Sequence, residues 1–517
     1  MKILSIIIVH WNTPIILKKQ LINLGQHIDI EIVVVDNNSN EKLDWIRQEF
    51  NDVLLIENEI NYGYAFACNQ GAAKAHGEWL LFLNPDVEIT TEAINAFIRQ
   101  TEDNRYVASS PNPRSDSYQK PLPSLWSFLI EFTPLHRVVP LSPFKKKTLF
   151  GGCLLIRKDI LEKIGGWDER FFLWFEDSDL TRRLIQNSYR VGWIDVPIKH
   201  TGGETFKLLD IQVKRKIFFH SLKLYVQKHF PLLQQFVTHI IIRRFSQNKL
   251  LPDLDDSICL VVPNVKKNLL DDFLKNNEIY QKSNIQVIIV TSALNTREFL
   301  TYKRKYPTIR FIRIDKNKGF ASTVNVGLKA CTGKWIGTVN DDTEAHEDWS
   351  TICTERAPRQ TGSINPVIRS TNGDIESVGI RVLAKGKAEP IIEYDSDKKF
   401  VHVDATNGAA VIYKKVALEK VGLFDERFGS YLEDIDLSLR LSRGGFGNYV
   451  ITQTSLIHMK HQTSNTVFTW QKQYLDLKNW ILVILKNWSF GQLVYNLPAI
   501  AGERLRNISG LVKSIFI

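Results

Sequence analysis

The sequence predicts an α/β chain with two tandem domains, each built on a mostly parallel, Rossmann-like sheet and followed by a helical extension. Three observations support this prediction. Short apolar, β-branched runs alternate with helix-like segments, and several of these runs stop at carboxylate or amide residues. The same ordered features also occur twice, about 257 residues apart (434 − 177). Alternating strands and helices are typical of parallel sheets, and ordered repetition indicates internal duplication.

Composition limits the classes of protein to consider. The 517 residues suffice for two to four domains at roughly 100–200 residues each. The five cysteines show no CxxC spacing, which argues against a zinc site or a disulfide framework and fits a reducing cytosol. The net charge of +10 suits nucleic acid, an anionic membrane or phosphorylated substrates. We expect no nucleic-acid partner, because the basic residues are scattered and no recognised nucleic-acid motif occurs.

No apolar run reaches the roughly 18 residues that a membrane-crossing helix needs. The run at residues 3–9 is short, lacks a cleavage site and ends in His10, Trp11 and Asn12, so we expect a buried strand there and not a signal peptide.

In the first half, we expect strands at residues 3–9, 32–35, 53–57 and 79–83, with helices between them. Asp36 follows the second strand, and Asn84-Pro85-Asp86 follows the fourth. Ligands of open α/β sheets bind at the carboxyl ends of strands, so these side chains are candidate site residues. Residues 109–148, rich in Pro, Ser and Lys, predict a mobile loop over the site.

The most distinctive stretch, at residues 165–184, reads GGWDERFFLWFEDSDLTRRL. It places Glu176, Asp177 and Asp179 between aromatic residues and an arginine pair. We expect the aromatics to be mostly core. Asp179 with Arg183 can be a salt bridge within one helix or part of the catalytic apparatus. His200 follows at the end of a short strand. Residues 208–230 are amphipathic and basic, and residues 236–245 are apolar with Arg243 and Arg244. We expect both segments to be helices that either pack on the domain or lie on a membrane.

The second half repeats this order. Asn317-Lys318-Gly319 matches Asn61-Tyr62-Gly63, Asn340-Asp341-Asp342 matches Asn84-Pro85-Asp86, and Glu433-Asp434 matches Glu176-Asp177. His458 matches His200 at an offset of 258 (458 − 200), which favours a ligand over a structural histidine. One position differs, because Thr291, and not an aspartate, follows the second strand.

The last residues are rich in Trp, Tyr, Lys and Arg. Such composition favours a water–lipid boundary, and residues 488–517 are expected at a membrane surface. For residues 467–485, helices packed on the second domain are an equal alternative.

Transfer of a sugar from a nucleoside diphosphate to a hydroxyl needs three kinds of group. A divalent metal neutralises the leaving diphosphate, a carboxylate takes the acceptor proton, and a further group holds the base. Asp36 can accept a hydrogen bond from a pyrimidine N3–H, Asp86 and His200 can bind the metal, and Asp177 can be the base with Glu176 beside it.

The ordered segments IIIVHWN, VVVDNNS, NYGYAFACNQG, LLFLNPD and GGWDERFFLWFEDSDLTRR, with a late histidine, resemble glycosyltransferase family 2, in particular its bacterial rhamnosyltransferase-like branch. The resemblance covers residues 1–230 densely and 257–485 more loosely. It implies an inverting enzyme of the GT-A fold that uses Mg²⁺ or Mn²⁺. Asn84 stands where the metal-binding DxD has its first Asp, which leaves Asp86 as the only carboxylate of that motif.

The resemblance assigns a role to each candidate residue. The catalytic candidates are Asp177, Glu176, Asp434 and Glu433. The donor-binding candidates are Asp36, Asn61, Gly63, Asn84, Asn317, Gly319 and Thr291. The metal-binding candidates are Asp86, His200, Asp342, Asp341 and His458.

We therefore expect GT-A domains at residues 1–207 and 251–466, a helical extension and linker at 208–250, and an amphipathic tail at 467–517. The expected function is a bifunctional glycosyltransferase, peripheral on the inner face of the bacterial cytoplasmic membrane. It would use dTDP-rhamnose or a UDP-sugar to extend a lipid-linked or polysaccharide acceptor such as O-antigen or capsule, alone or in an oligomer or assembly complex.

Two alternatives remain open. Thr291 favours a non-catalytic, glycan-binding or scaffolding second domain, whereas Asp342, Asp434 and His458 oppose it. A sugar-nucleotide synthase would need a Gly-rich triphosphate loop after the first strand, and residues 10–14 form no such loop.

Overall fold

A computed structural model describes residues 4–25, 30–112, 120–132, 146–200, 209, 211–243, 255–282, 285–395, 397–459 and 469–516. The chain forms two compact units. The first comprises residues 1–252 and 296–307, and the second comprises 253–295 and 308–517. The four-part division expected from the sequence stays a prediction. Among the described residues, no helix combines the length and apolarity needed to cross a membrane.

The first unit alternates strands and helices, as its apolar pattern predicts. Its strands are β1 (Leu4–His10), β2 (Ile30–Asp36), β3 (Val53–Glu57), β4 (Trp79–Leu83), β5 (Val87–Glu88), β6 (Ala108–Pro111), β7 (Cys153–Arg157), β8 (Val191–Ile194) and β9 (Lys199–His200). Its helices are α1 (Pro14–Leu24), α2 (Asp44–Glu49), α3 (Tyr64–Lys74), α4 (Thr91–Asp103), α5 (Leu125–Phe132), α6 (Lys158–Lys163), α7 (Glu176–Gln186), α8 (Ile211–His229) and α9 (Leu232–Arg243).

The main sheet of this unit has the order β3-β2-β1-β4-β7-β6-β8. Strands β1 to β4 run parallel, and β7 runs antiparallel to β4 and β6. Helices cover both faces of the sheet: Ile6 of β1 belongs to a core with Leu17 and Phe97, whereas Ile7 belongs to a core with Cys68 and Leu180. Because residues of β1 alternate between two apolar cores, the strand is continuously hydrophobic, as expected for a buried parallel strand.

The second unit repeats this plan with added strands. Its strands are β10 (Asp255–Asn264), β11 (Ile285–Thr291), β12 (Arg310–Arg313), β13 (Gly333–Val339), β14 (Thr343–Glu344), β15 (Thr361–Ser370), β16 (Ile375–Ser377), β17 (Ile380–Leu383), β18 (Lys387–Pro390), β19 (Phe400–Val403), β20 (Ala410–Lys414) and β21 (Gly447–His458). The helices that follow along the chain are α10 (Lys267–Asn276), α11 (Ile279–Lys282), α12 (Thr296–Lys305), α13 (Phe320–Leu328), α14 (Trp349–Glu355), α15 (Lys415–Val421), α16 (Glu433–Arg443), α17 (Thr469–Asn487) and α18 (Phe490–Phe516).

Its large sheet follows the path β12-β11-β10-β13-β20-β15-β21-β14, with β16 and β19 paired beside it. The parallel strands β10 to β13 and the antiparallel β20 correspond to β1 to β4 and β7. The predicted α/β fold class with two tandem units is therefore confirmed. Strands β16 to β19 have no counterpart in the sequence prediction.

The duplication extends beyond the sheets into the helical extensions. Helices α8 and α17 begin 258 residues apart (469 − 211), and so do α9 and α18 (490 − 232). Each unit thus ends in an equivalent pair of helices. The sequence prediction treated these segments as an extension with linker and as a tail, because their apolar residues differ in identity.

The loop expected at residues 109–148 contains regular structure. Residues 108–111 form β6, and α5 lies within the segment, whereas residues 113–119 and 133–145 lie outside the described residues. Phe128 of α5 is buried in a cluster with Phe171, Tyr225 and Phe230. The apolar face of this short helix explains why the segment is ordered there.

The loop before α3 packs directly against the acidic stretch. Gly63 has a φ of +87°, and a Cβ at this position would lie 2.6 Å from the Phe172 carbonyl oxygen. The Tyr64 N–H donates to that same oxygen at 2.8 Å. Gly319 repeats this approach against the carbonyl of Gly429.

We predict that Gly63→Ala lowers the free energy of unfolding by about 2 kcal/mol or more, because it combines left-handed strain with a backbone clash. The matched control is Gly165→Ala. Gly165 has a φ of +85° but no atom within 4 Å of the added Cβ, so only the strain of about 1 kcal/mol remains. Urea unfolding measures both, and equal losses would contradict the proposed close approach.

Candidate active sites

At the end of β2, Asp36 lies in a buried hydrogen-bond network. Its Oδ1 is 2.9 Å from His10 Nδ1 and 2.5 Å from Ser39 Oγ, and its Oδ2 accepts from the Ser39 N–H. His10 Nε2 accepts from the Thr13 N–H at 3.0 Å. Nδ1 therefore carries the proton in the neutral ring and donates to Asp36. This arrangement orients the carboxylate that was predicted to hold the nucleobase.

Amide side chains join the tip of β2 to the loop before α3. Asn37 Nδ2 donates to Asn61 Oδ1 at 2.7 Å, and Asn58 exchanges two hydrogen bonds with Gln70. Asn61 Oδ1 also accepts from the Gly63 N–H. The predicted donor-binding residues Asn61 and Gly63 thus shape the loop, and their contact with a donor stays a prediction. Asn317 and Gly319 form the same internal bond in the second unit.

The predicted metal ligands of the first unit meet at the sheet edge. Strand β5 pairs with β9 so that Val87 faces His200, which brings Asp86 Oδ2 within 3.3 Å of His200 Nε2. Both side chains are largely buried. The Asn84 N–H donates to the Gly152 carbonyl, so the β4 end and the start of β7 lie together.

The acidic helix α7 follows two strained residues. Trp174 and Phe175 have φ values of 66° and 69°, a left-handed conformation that costs about 1–2 kcal/mol for each such residue. Helix α7 then begins with Glu176 and Asp177. A Cβ on Gly151 would lie 3.1 Å from the Asp177 Cβ, so a glycine here lets the turn before β7 approach the carboxylate.

Burial and proximity make it unfavourable for the neighbouring carboxyls of Glu176 and Asp177 to be ionised together. Burial, together with the charge of Asp177, raises the pKa of Glu176 to about 8. Burial also raises the pKa of Asp177, whereas the Lys120 charge and the Ser178 N–H oppose that rise. Like charges side by side cannot both ionise easily. Glu176 therefore keeps its proton to a higher pH than an ordinary glutamate, which lessens the repulsion on an ionised Asp177.

The third acid, Asp179, is fully buried among cationic and imidazole groups. It contacts Arg183 at 2.8 Å, Lys228 at 2.5 Å and His229 at 2.7 Å. Lys228, from α8, also contacts Asp168 at 2.6 Å. The salt bridge with Arg183, one of the two alternatives that the sequence left open for Asp179, is present. We call Asp168, Asp179 and Lys228 the lysine clamp, because the lysine ties the helical extension to the acidic helix.

The second unit has a different hydrogen-bond network where β10 and β11 end. Thr291 Oγ1 donates to Asn264 Oδ1 at 2.8 Å, and Asn264 Nδ2 donates to Asp341 Oδ2 at 2.8 Å. Asn264 and Thr291 occupy paired positions, as His10 and Asp36 do in the first unit. Burial raises the pKa of Asp341 to about 7. Asp341 thus binds Asn264 here, and its predicted role as a metal ligand stays a prediction.

The predicted metal ligands of this unit also meet. Strands β14 and β21 pair Thr343 with His458, and His458 Nε2 lies 3.4 Å from Asp342 Oδ1. Glu376, on β16, contacts His458 Nδ1 at 3.2 Å and orients the ring. Burial opposes the charge of His458, but hydrogen bonds with Asp342 and Glu376 outweigh it and raise its pKa to about 9.

The acidic helix α16 repeats the geometry of α7. Tyr431 and Leu432 are left-handed, with φ values of 74° and 65°. Asp434 Oδ2 accepts from the Gly408 N–H at 3.0 Å. Burial raises the pKa of both Glu433 and Asp434.

The lysine clamp is also duplicated. Lys486 contacts Asp425 at 2.7 Å and Asp436 at 2.8 Å, and Arg440 contacts Asp436 at 2.8 Å. Asn487 stands where the first unit has His229.

Each Asp–His pair fits a divalent cation bound jointly with a substrate. Within the described parts of the chain, no three His, Cys, Asp or Glu side chains converge as a complete metal site. Mg²⁺ commonly takes one or two carboxylates, waters and substrate phosphates, and imidazole nitrogen is an acceptable ligand of Mn²⁺. A pair of protein ligands therefore suits a metal that arrives with a diphosphate.

Comparison with models of known protein families identifies the family of this chain. The model of "Glycosyl transferase family 2" matches residues 5–165 and again residues 257–422, together more than half of the chain. The chain belongs to glycosyl transferase family 2. A model described as "N-terminal domain of galactosyltransferase" also matches residues 135–203. The predicted tandem membership of this family is confirmed.

Two relatives have curated names. A low-salt glycan biosynthesis hexosyltransferase, Agl10, of Haloferax volcanii is 28% identical over 208 residues, covering 37% of this chain and 65% of the relative. An N-acetylglucosaminyl-diphospho-decaprenol L-rhamnosyltransferase of Mycobacterium tuberculosis is 27% identical over 206 residues, covering 34% and 66%. The chain thus spans just under two thirds of the length of these relatives.

A solved structure of the mannosyltransferase PcManGT from Pyrobaculum calidifontis, in complex with GDP-Man and Mn²⁺, aligns with a TM-score of 0.36 and 15% identity. The alignment covers 59% of this chain and 85% of that one.

Several residues of the two sites were not predicted from the sequence. His10 was noted only at the end of the first strand, and Asn264 was not noted, although they contact Asp36 and Thr291. Lys228 and Lys486 lie some 50 residues beyond the acids that they contact, so no local pattern marks them. Glu376 belongs to the strands inserted in the second unit. A repeat alignment that included the helical extensions would have matched the two lysines.

We predict that Glu176→Gln flattens the pH dependence of stability. The pKa of Glu176 rises from 4.5 to about 8 on folding, so the folded state binds more protons between these values. The contribution of Glu176 to stability therefore falls as pH rises from about 5 to 8, and the amide removes this loss. Urea unfolding from pH 5 to 9 measures the slope. Glu41→Gln, at an exposed site, is the control, and an unchanged slope in Glu176→Gln would refute the raised pKa of Glu176.

We also predict that Lys228→Met destabilises the first unit by about 3 kcal/mol, because it leaves buried Asp179 and Asp168 under-compensated. The control Lys163→Met breaks an exposed pair with Asp159 and should cost less than about 1 kcal/mol. Thermal or urea unfolding compares the two. Similar losses would mean that the lysine clamp contributes no more than a surface pair.

Proposed function

We propose that the chain is a bifunctional inverting glycosyltransferase that extends a bacterial surface polysaccharide, such as O-antigen or capsule, from nucleoside-diphosphate sugars. The observation that carries the proposal is the duplicated site. Both units combine a Glu–Asp pair at the start of a helix, a glycine contacting the aspartate, an Asp–His pair at the sheet edge and a lysine clamp.

In the first unit, Asp177 takes the proton from the acceptor hydroxyl as the acceptor oxygen attacks the anomeric carbon. That new bond forms while the bond from the carbon to the diphosphate oxygen breaks, which inverts the configuration. Glu176 keeps its proton, so its neutral carboxyl does not repel the charge on Asp177.

Asp86 and His200 would hold Mg²⁺ or Mn²⁺, which supplies positive charge for the departing diphosphate. Asn84 and the loop of Asn61 and Gly63 line the donor side of this edge. In the second unit, Asp342 and His458 take the equivalent place, with Asp341 beside them and Asn317 and Gly319 in the loop.

The donor of the first unit is proposed to be a pyrimidine nucleotide sugar, either dTDP-rhamnose or a UDP-sugar. Asp36, oriented by His10, is an acceptor suited to a pyrimidine N3–H. The similarity to a named L-rhamnosyltransferase supports rhamnose, and the lipid diphosphate in that name supports a lipid-linked acceptor. A peripheral location on the inner face of the cytoplasmic membrane fits such an acceptor, as does membership of an oligomer or assembly complex.

A second candidate function is a chain with one catalytic unit and a non-catalytic, glycan-binding or scaffolding second unit. The observation that favours it is the Thr291–Asn264 bond, which puts neutral, mutually bonded groups where the first unit has Asp36.

Single substitutions distinguish the two functions. We predict that Asp177→Asn and Asp434→Asn each abolish one specific linkage, with a rate loss of about 10²-fold to 10⁴-fold for that transfer. The reason is that each removes the base of one unit only. Product linkages and release of nucleoside diphosphate are measured with membrane extracts as acceptor source.

Asp52→Asn, at an exposed turn, is the control for the substitution type. The bifunctional proposal fails if Asp177→Asn abolishes all transfer and Asp434→Asn changes no product. In that case the second unit is a binding or scaffolding module.

A further inference from the structure

Helix α9 of the first unit exposes one apolar face. Leu232, Leu233, Phe236 and Ile240 are 82%, 75%, 65% and 60% exposed. Their spacing places them on one side of the helix. The opposite side is anchored, since Ile242 is buried with Tyr225 and Phe230. The exposed face is therefore a surface feature of a packed helix.

Helix α18 of the second unit has a longer apolar face. The exposed apolar residues of this face are three, four or eight positions apart, which keeps them on one side of the helix. They are Phe490, Val494, Leu497, Leu505, Ile508 and Val512. They extend over 22 residues (512 − 490), or about 33 Å of helix. The other side packs in the unit, where Ile500 is buried with Trp480 and Ile484.

The two faces are equivalent in the duplicated chain. Leu232 and Phe490 are 258 residues apart, as are Phe236 and Val494 (494 − 236). Lys228 and Lys486 of the lysine clamps have the same offset, so the correspondence is anchored by contacts. At these two positions both copies expose an apolar residue, whereas Leu233 and Ile240 correspond to Gly491 and Pro498.

The helical pairs that carry these faces are rich in basic residues. Residues 211–243 contain six Lys or Arg and no Asp or Glu. Residues 469–516 contain two acids, and both are engaged: Asp476 accepts from Asn507, and buried Glu503 pairs with Lys385 and Arg506. Arg506 and Lys513 are exposed on α18. Exposed apolar faces on basic helical pairs match the chemistry of an anionic lipid surface.

We propose that the exposed faces of α9 and α18 are two equivalent contact surfaces for an anionic lipid bilayer, one for each unit. This proposal rests on the proposed function, because a lipid-linked acceptor requires the enzyme to reach a membrane. The two faces are the surfaces that would hold each unit there. The proposal also assigns membrane contact to the first unit, and not to the C-terminal residues alone.

The test is sedimentation of the full chain with vesicles of phosphatidylglycerol and phosphatidylcholine in equal parts, or of phosphatidylcholine alone. We expect binding to the first and a loss of binding at high salt. Phe236→Glu with Ile240→Glu, and separately Val494→Glu with Leu505→Glu, should each weaken binding about tenfold. The matched controls Leu54→Glu and Val416→Glu alter exposed apolar residues elsewhere and should leave binding unchanged.

Release of nucleoside diphosphate from dTDP-rhamnose and from a UDP-sugar, without vesicles, is measured in the same variants and should persist. Its absence in the wild-type chain would count against the proposed function and leave the lipid inference to the vesicle result. Unchanged vesicle binding in both double variants overturns the inference. If those variants instead dissociate a dimer in analytical ultracentrifugation, the faces are an interface between copies of the chain.

Discussion

The buried carboxylate of Asp179 and the lysine that contacts it constrain the first unit more than any other interaction described. Asp179 lies two residues beyond the proposed base, and Lys228 reaches it from a helix about 50 residues later. Because an unpaired buried charge is strongly unfavourable, the acidic helix and the helical extension must be correctly placed together. Asp168 binds the same ammonium, so the turn before the aromatic stretch is placed as well. Asp436, Lys486 and Asp425 impose the same constraint in the second unit.

The two units differ mainly where a nucleobase would be held. In the first, a charged side chain ends β2 and a histidine beside it fixes its direction. In the second, Thr291, Asn264 and Asp341 bond to one another in a chain. Substitution of one member leaves a buried polar partner unsatisfied, so a return from threonine to aspartate would require changes at Asn264 and Asp341 too. The divergence thus concerns a network and not a single position.

The sequence was sufficient for the fold class, the duplication and the Asp–His pairs, because each depends on apolar strands and on polar residues that follow them directly. The pairing of β5 with β9 places Asp86 beside His200, and the pairing of β14 with β21 places Asp342 beside His458. The roles of Lys228 and Glu376 could not be predicted from the sequence, since their partners lie far away along the chain. The ordered helix α5 was missed because its eight residues are stabilised by a cluster from α8 and α9, not by their own periodicity.

The two residues before each acidic helix have left-handed backbone conformations, and they limit which substitutions can stabilise this chain. Trp174 with Phe175, and Tyr431 with Leu432, hold bulky side chains in a conformation that glycine adopts without strain. Glycine at these positions would relieve the strain, but it would also remove the rings of Trp174 and Phe175 that pack on Phe218. Strain of this kind persists where the surrounding structure holds the conformation, and both copies place it directly before the acidic pair. Stabilised variants of this protein should therefore be sought away from these four positions.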